Sequence, residues 1–420
     1  MKKLFIVTLA VLFAAGAAYA VEYDFSGMIN TRGTYLDNDS GLEDKSRDYM
    51  FYDMEFDADV KIMPSDKTLI FLNMEIHDEN FTKSPTDSND KTGDDNIVFK
   101  RAYGKYTFDN GLSTTFGLMT GGAFGTAFGD NGDGYYRVRV DGAASFGNWG
   151  VILEKLEELG TEGRSDDTPD PPGGWDSEKD DSDGYAAYLV TKAGDVTLNF
   201  LVKYADVGDA TGGAIEGGFE FEDTDRDTYI FVAAAMGSFG SLGFETEFDV
   251  IDYKYDGNNA PEDYTSYGLY GNVWMAMDAA KIGGYAAYGS WDDDAGAGFD
   301  FGADFYFGEG VGESQAWGTG NKGTWSAVTL LGLYGDYAVN DAMSLYANFS
   351  YWMSNEDELA DGTNSPFKDA DGYEVTARGA YKLADNVTYS AGAAYGAFKP
   401  DEGSSPDPYI RAFHKIQINF

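Results

Sequence analysis

The chain has no cysteine, only two histidines, far fewer bases than acids and, beyond its first twenty residues, no apolar run long enough to make a membrane helix. Each shortage removes a class of protein. Without cysteine there is no disulfide framework, no thiol nucleophile and no covalent haem attachment in this polypeptide. The histidines, His77 and His414, offer no workable pairing with a serine or an acid, and no catalytic role is expected of either. Lysine and arginine number 29 against 72 aspartates and glutamates, a net charge of −43 that excludes nucleic acid as a partner. Such acidity with few aromatics would describe a disordered chain, but 16% of the residues are aromatic and 43% hydrophobic. The charge therefore belongs in loops and in a wet interior.

What is present begins with a basic end at Lys2 and Lys3, an apolar stretch at 4–15 and small residues at Ala18 and Ala20. This is the pattern of a secretory signal peptide over residues 1–20, cut before Val21. Its removal takes two lysines from the 29 bases and leaves 27, so the net charge of −43 becomes −45. From there the hydrophobicity alternates with period two. Tyr52, Met54, Phe56, Ala58, Val60 and Ile62 oppose Asp53, Glu55, Asp57, Asp59 and Lys61, and a row holding four acids cannot face lipid. An exported chain with apolar residues at every second position and no spanning helix has one membrane architecture left to it, a closed antiparallel β-barrel.

Tight Asn, Asp and Gly connections such as 109–111, 193–195 and 383–386 alternate with long Asp-, Gly- and Ser-rich ones such as 78–96, 160–184, 206–227 and 353–370. Counting a strand between each pair gives an all-β transmembrane barrel of about 18 strands, with 16 as the alternative. The short turns are then periplasmic, the long loops extracellular, and residues 21–420 form a single domain. Phe299–Phe307 alternates like a strand but would make the count odd, so it is placed in a folded loop at 292–324. In the last strand Ile410, Ala412, His414, Ile416, Ile418 and Phe420 share one face and Arg411, Phe413, Lys415, Gln417 and Asn419 the other. It is expected to pair with the first strand and close the cylinder.

Val98–Tyr103, Gly117–Gly122 and Asp133–Arg139, with the leader, the Gly-rich third long connection and the terminal Phe420, resemble the diffusion porins, and most of all the homotrimeric outer-membrane porins of sulfate-reducing and related bacteria. The resemblance implies a homotrimer in the outer membrane of a Gram-negative bacterium, in contact with membrane lipid and lipopolysaccharide. It implies a passive channel for small hydrophilic solutes and ions, without a catalytic site or resident metal. Phe420, with Ile418 and Ile416, would close the barrel and carry the signal read by the barrel-assembly machinery. The third loop, near residues 121–134, would fold inward and narrow the pore, with Asp130 and Asp133 facing Arg101, Arg137 and Arg139 on the wall. That loop departs from the family in having few acids and many Gly and Phe residues, among them Phe124 and Phe128.

Lumen acids Asp53, Glu55, Asp57, Asp59, Glu245, Glu247 and Asp249 outnumber the bases that can be placed beside them, so weak cation selectivity is expected. No cofactor is expected. The acidic runs at 180–183, 292–294 and 369–371 lack the complete calcium-loop pattern and would bind divalent ions such as calcium only loosely. Two other functions fit the composition: a barrel sheathing a partner cytochrome as an electron conduit, and a secreted calcium-binding β-solenoid adhesin. The second should repeat a glycine-aspartate nonapeptide, and the sequence does not.

Overall fold

The computed structural model describes residues 21–37, 49–80, 98–120, 124–129, 134–158, 181–207, 225–257, 262–302, 305, 327–357, 368–399 and 408–420. The expected signal peptide lies outside these residues. The strands are β1 (Glu22–Asp37), β2 (Tyr49–Ser65), β3 (Thr68–Asn80), β4 (Val98–Thr107), β5 (Ser113–Thr120), β6 (Gly134–Ala144) and β7 (Gly147–Glu158). They continue with β8 (Asp181–Ala193), β9 (Val196–Val207), β10 (Asp225–Phe239), β11 (Leu242–Asp256), β12 (Tyr264–Met277) and β13 (Ala280–Gly289). After the two-residue strands β14 (Trp291–Asp292) and β15 (Ala297–Gly298) come β16 (Val328–Asn340), β17 (Met343–Ser354), β18 (Asp371–Ala384), β19 (Val387–Lys399) and β20 (Tyr409–Asn419).

All but β14 and β15 belong to one 18-stranded antiparallel sheet in which each strand pairs with its neighbour in the chain. The sheet closes because β1 pairs on its far side with β20, from Met28 opposite Asn419 to Asp37 opposite Ile410. Beyond the last ladder pair, Gly27 N–H donates to Phe420 O at 2.9 Å and Phe420 N–H to Gly27 O at 3.0 Å. The Phe420 ring lies 5.4 Å from that of Phe25 and stacks 5.7 Å from that of Phe56. A Cβ on Gly27 would meet the Asp57 carbonyl at 2.3 Å and the Phe420 ring at 2.8 Å, so glycine is what lets the chain end sit there.

Two faces with opposite chemistry follow from the alternation. Phe25, Phe116, Tyr136, Leu153, Val202, Ile282, Leu333 and Val375 point outward and are exposed. Tyr185, Tyr204 and Tyr229 lie side by side near one rim, the first two stacked at 6.2 Å and the last two tilted at 5.2 Å between ring centroids. The enclosed face carries the acids, amides and arginines. Among the described residues no helix is long and apolar enough to cross a membrane, and the crossing elements are strands. Asp181, Asp183, Asp206, Asp225 and Asp227, which the sequence places in loops, are strand residues. The ladder runs on past the greasy belt into water, where acids are at home, so hydrophobic alternation stops before the pairing does.

Candidate functional site

The lumen face of β2 presents Asp53, Glu55, Asp57, Asp59 and Lys61, and all but Asp57 are held by a neighbouring strand. Arg32 Nε lies 3.0 Å from Asp53 Oδ2, Asn30 Nδ2 donates to Glu55 Oε2 at 2.7 Å, and Lys61 Nζ lies 3.0 Å from Asp24 Oδ2. Asn73 Nδ2 on β3 donates to Asp59 Oδ1 at 2.8 Å. The β2–β3 register slips between Phe56 and Asp57, which sets Glu75 opposite Asp57. Carboxylate oxygens of Glu55, Asp57 and Glu75 then lie within 4.8 Å of one another, and Lys100 pairs with Glu75. This wall is strongly acidic, with its charge fixed by short bonds.

Farther around the barrel, on β6 to β9, bases gather. Arg137 Nε donates to Glu154 Oε2 at 2.6 Å, its Nη1 donates to Thr120 O, and Lys203 pairs with the other Glu154 oxygen. Both cations lie over the Tyr135 ring, Arg137 Cζ at 5.4 Å and Lys203 Nζ at 5.8 Å from its centre. Arg139 Nε lies 2.9 Å from Asp141 Oδ2, and Tyr188 OH donates to the second Asp141 oxygen. One carboxylate between two cations leaves this station with a net positive charge.

The third long connection, L3 (residues 121–133, described at 124–129), leaves β5 and lies along the inner wall. Its Phe124 ring is 5.5 Å from that of Tyr188 on β8, and Thr126 N–H donates to Glu247 Oε2 on β11 at 2.5 Å. Phe128, 2% exposed, then enters an aromatic socket. Tyr270 on β12 stacks on it at 5.7 Å, and Phe299, Phe301 and Phe305 surround it at 5.0 to 5.2 Å. These three phenylalanines belong to the seventh long connection, L7 (residues 290–327), which starts with the β14–β15 hairpin. Gly129 N–H donates to Phe301 O at 2.7 Å, and Gly125 and Gly129 have φ of 102° and 72°. Below the socket Tyr270 OH and Asn272 Nδ2 both donate to Glu245 Oε1, at 2.6 and 3.1 Å. L3 and L7 thus meet inside the barrel, over the inner faces of β11 and β12. Burying a side chain the size of Phe128 contributes about 1.5–3 kcal/mol to holding them together.

No family model and no curated protein matches the sequence. Solved structures do match: the Pseudomonas aeruginosa outer-membrane protein OpdK is 9% identical, with a TM-score of 0.53 over 94% of this chain and 99% of that one. The same protein in its crystal structure with vanillate gives the same identity, TM-score and coverage. The outer-membrane channel DcaP of Acinetobacter baumannii is 13% identical over 95% of this chain and 97% of that one, with a TM-score of 0.49. This is the fold of an outer-membrane barrel.

Within the outer-membrane barrel the residues singled out from the sequence fall in different places. Arg137 and Arg139 lie on the lumen face of β6, and carboxylates of the wall, Glu154 and Asp141, pair with them. Arg101, on β4 opposite Asn73, is exposed. Asp130 and Asp133 lie outside the described residues, as do Asp180 and the Phe307 end of the alternating stretch. Asp292, Asp293, Asp294, Asp369 and Asp371 are described and do not gather into a carboxylate cluster. Ile416, Ile418 and Phe420 point outward, and the outward ring of His414 lies 5.8 Å from Tyr52 and 6.3 Å from Tyr389. His77 pairs in register with Phe56. Glu154 and Lys203 were not singled out from the sequence. Glu154 sits in a strand whose acids and apolar residues alternate like many others, and only the register with Arg137 gives it a role.

Proposed function

We propose that the chain is an outer-membrane porin, a passive water-filled channel for small hydrophilic solutes and ions, narrowed by L3 and L7. The observation that carries this reading is the docking of L3 inside the barrel, with Phe128 buried against Tyr270 and the L7 phenylalanines. A loop seated on the inner wall restricts the cross-section without blocking it by design, and sieving by width with a bias from wall charge needs no turnover or energy source. The acid wall on β2 and β3 supports weak cation selectivity. Homotrimeric assembly, lipid and lipopolysaccharide contact and recognition of Phe420 by the assembly machinery belong to the same reading. A barrel sheathing a cytochrome would need its lumen for the partner, and the space inside β11 and β12 is taken by L3 and L7.

Planar-bilayer recording of the purified protein tests this. Discrete single-channel steps with a cation-biased reversal potential are expected at low salt. Deleting residues 124–129 should raise the conductance and admit larger sugars in liposome swelling. An assembled deletion variant with unchanged conductance would show that L3 does not set the pore, and an anion-biased potential would place the Arg137 station at the narrowest section.

A further inference from the structure

Glu247 and Asp249 stand two residues apart on the lumen face of β11, and L3 lies directly over both. They are 2% and 3% exposed, as deeply buried as the phenylalanines beside them. Glu247 receives the Thr126 N–H. Asp249 has a different environment: its Oδ1 is buried and makes no hydrogen bond, while a Cβ on Gly129 would lie 2.7 Å from its Oδ2. Among the described residues, the positions packed around it bring no compensating charge. Across the ladders it faces Val232 on β10 and Gly268 on β12, along its own strand Glu247 and Ile251, and from the loops Gly129, Phe128 and Phe299.

Among the described residues, the titratable groups of the neighbouring strands are directed elsewhere. Lys203 on β9 pairs with Glu154, the Arg226 guanidinium lies 5.6 Å over the Tyr253 ring, and Tyr270 donates to Glu245. In L7, Asp300 accepts the Gly302 N–H. An ionised carboxylate buried with no cation and a second carboxylate beside it is strongly unfavourable. A carboxyl that keeps its proton is not.

We propose that Asp249 is the latch of L3: the loop is seated while the Asp249 carboxyl carries its proton, and loss of that proton unseats the loop and widens the pore. This rests on reading the barrel as a diffusion channel. No covalent step is involved, only a proton exchanged with the lumen water as L3 lifts from the wall.

The test is single-channel conductance of the full-length protein and of Asp249→Asn between acid and alkaline pH, at fixed salt. The wild-type channel should pass from a smaller to a larger conductance level as pH rises, by a step like that produced by deleting residues 124–129. The neutral isostere Asp249→Asn should stay at the smaller level throughout. Phe128→Ala, which empties the aromatic socket and leaves β11 intact, should stay at the larger level. Heat-modifiable migration of each variant confirms that the barrel has formed. Absence of any channel activity in the wild type would overturn the porin reading itself. A conducting wild type with no pH-dependent step, the same step retained in Asp249→Asn, or a step that follows the identity of the dissolved cation instead of pH would each overturn the latch.

Discussion

Glu154 ties down two cations, and what it does for permeation depends on their both staying fixed. Its carboxylate joins Arg137 to Lys203 across β7, and Arg137 also holds Thr120 O, the last residue before L3. Removing one partner of a buried pair leaves the other charges uncompensated, a larger effect than the pair's own net contribution. Glu154→Gln is therefore expected to move the reversal potential toward anions at low salt, and Arg137→Ala to move it toward cations. Equal potentials for the two variants, measured in assembled channels, would place this station away from the ion path. Residue chemistry of this kind was only half legible in the sequence. Arg137 and Arg139 stood out because arginine is rare here and both fall on the polar face. Their carboxylate partners did not, since cross-strand pairing is set by a register that no local pattern encodes.

At the scale of elements, alternation with period two was enough to find the strands, because each has one face in lipid and one in the lumen. All but one of the two-residue connections at one rim were legible from Asn, Asp or Gly residues, the exception being Ser145–Phe146 between β6 and β7, with Gly147 and Asn148 already in the strand. L7 was harder. The stretch from Phe299 alternates as a strand does, yet Phe299, Phe301 and Phe305 are buried against Phe128 of L3 and Tyr270 of β12 rather than paired in the wall. Burial beside another loop and burial in a sheet leave the same trace in sequence, and only the even strand count separated them. The seam between β1 and β20 gives the sharpest test at this scale. Gly27→Val places a branched side chain where the Asp57 carbonyl and the Phe420 ring already sit. Deleting Phe420 removes the ring itself. Both should lower the yield of heat-modifiable, protease-resistant barrel, and normal yields from both would show that the seam tolerates a loose end.

For the whole molecule the net charge of −43 matters more than any single site. Of the acids on the lumen walls of β2, β3 and β11, Glu247 and Asp249 are covered by L3. The open field therefore comes mainly from Asp53, Glu55, Asp57, Asp59 and Glu75. Exposed charge is screened over about 8–10 Å at moderate ionic strength. Cation preference is accordingly expected to fade as salt rises, in a series of reversal potentials taken from dilute to molar salt. A preference that holds at molar salt would point to direct ion binding, with the Glu55, Asp57 and Glu75 cluster as the first place to look.

The pairing of Met28 with Asn419 also fixes the order in which the molecule is made. Every other barrel ladder joins strands that follow one another in the chain, so its hairpin closes only a short loop. The last ladder joins the two ends, and closing so long a loop carries an entropic cost that nothing local offsets in advance. Until then β1 and β20 are open edges, the surfaces on which sheets aggregate. Closure is therefore expected to be the last step of assembly, and the vulnerable period is the interval during which the first strand waits for the last.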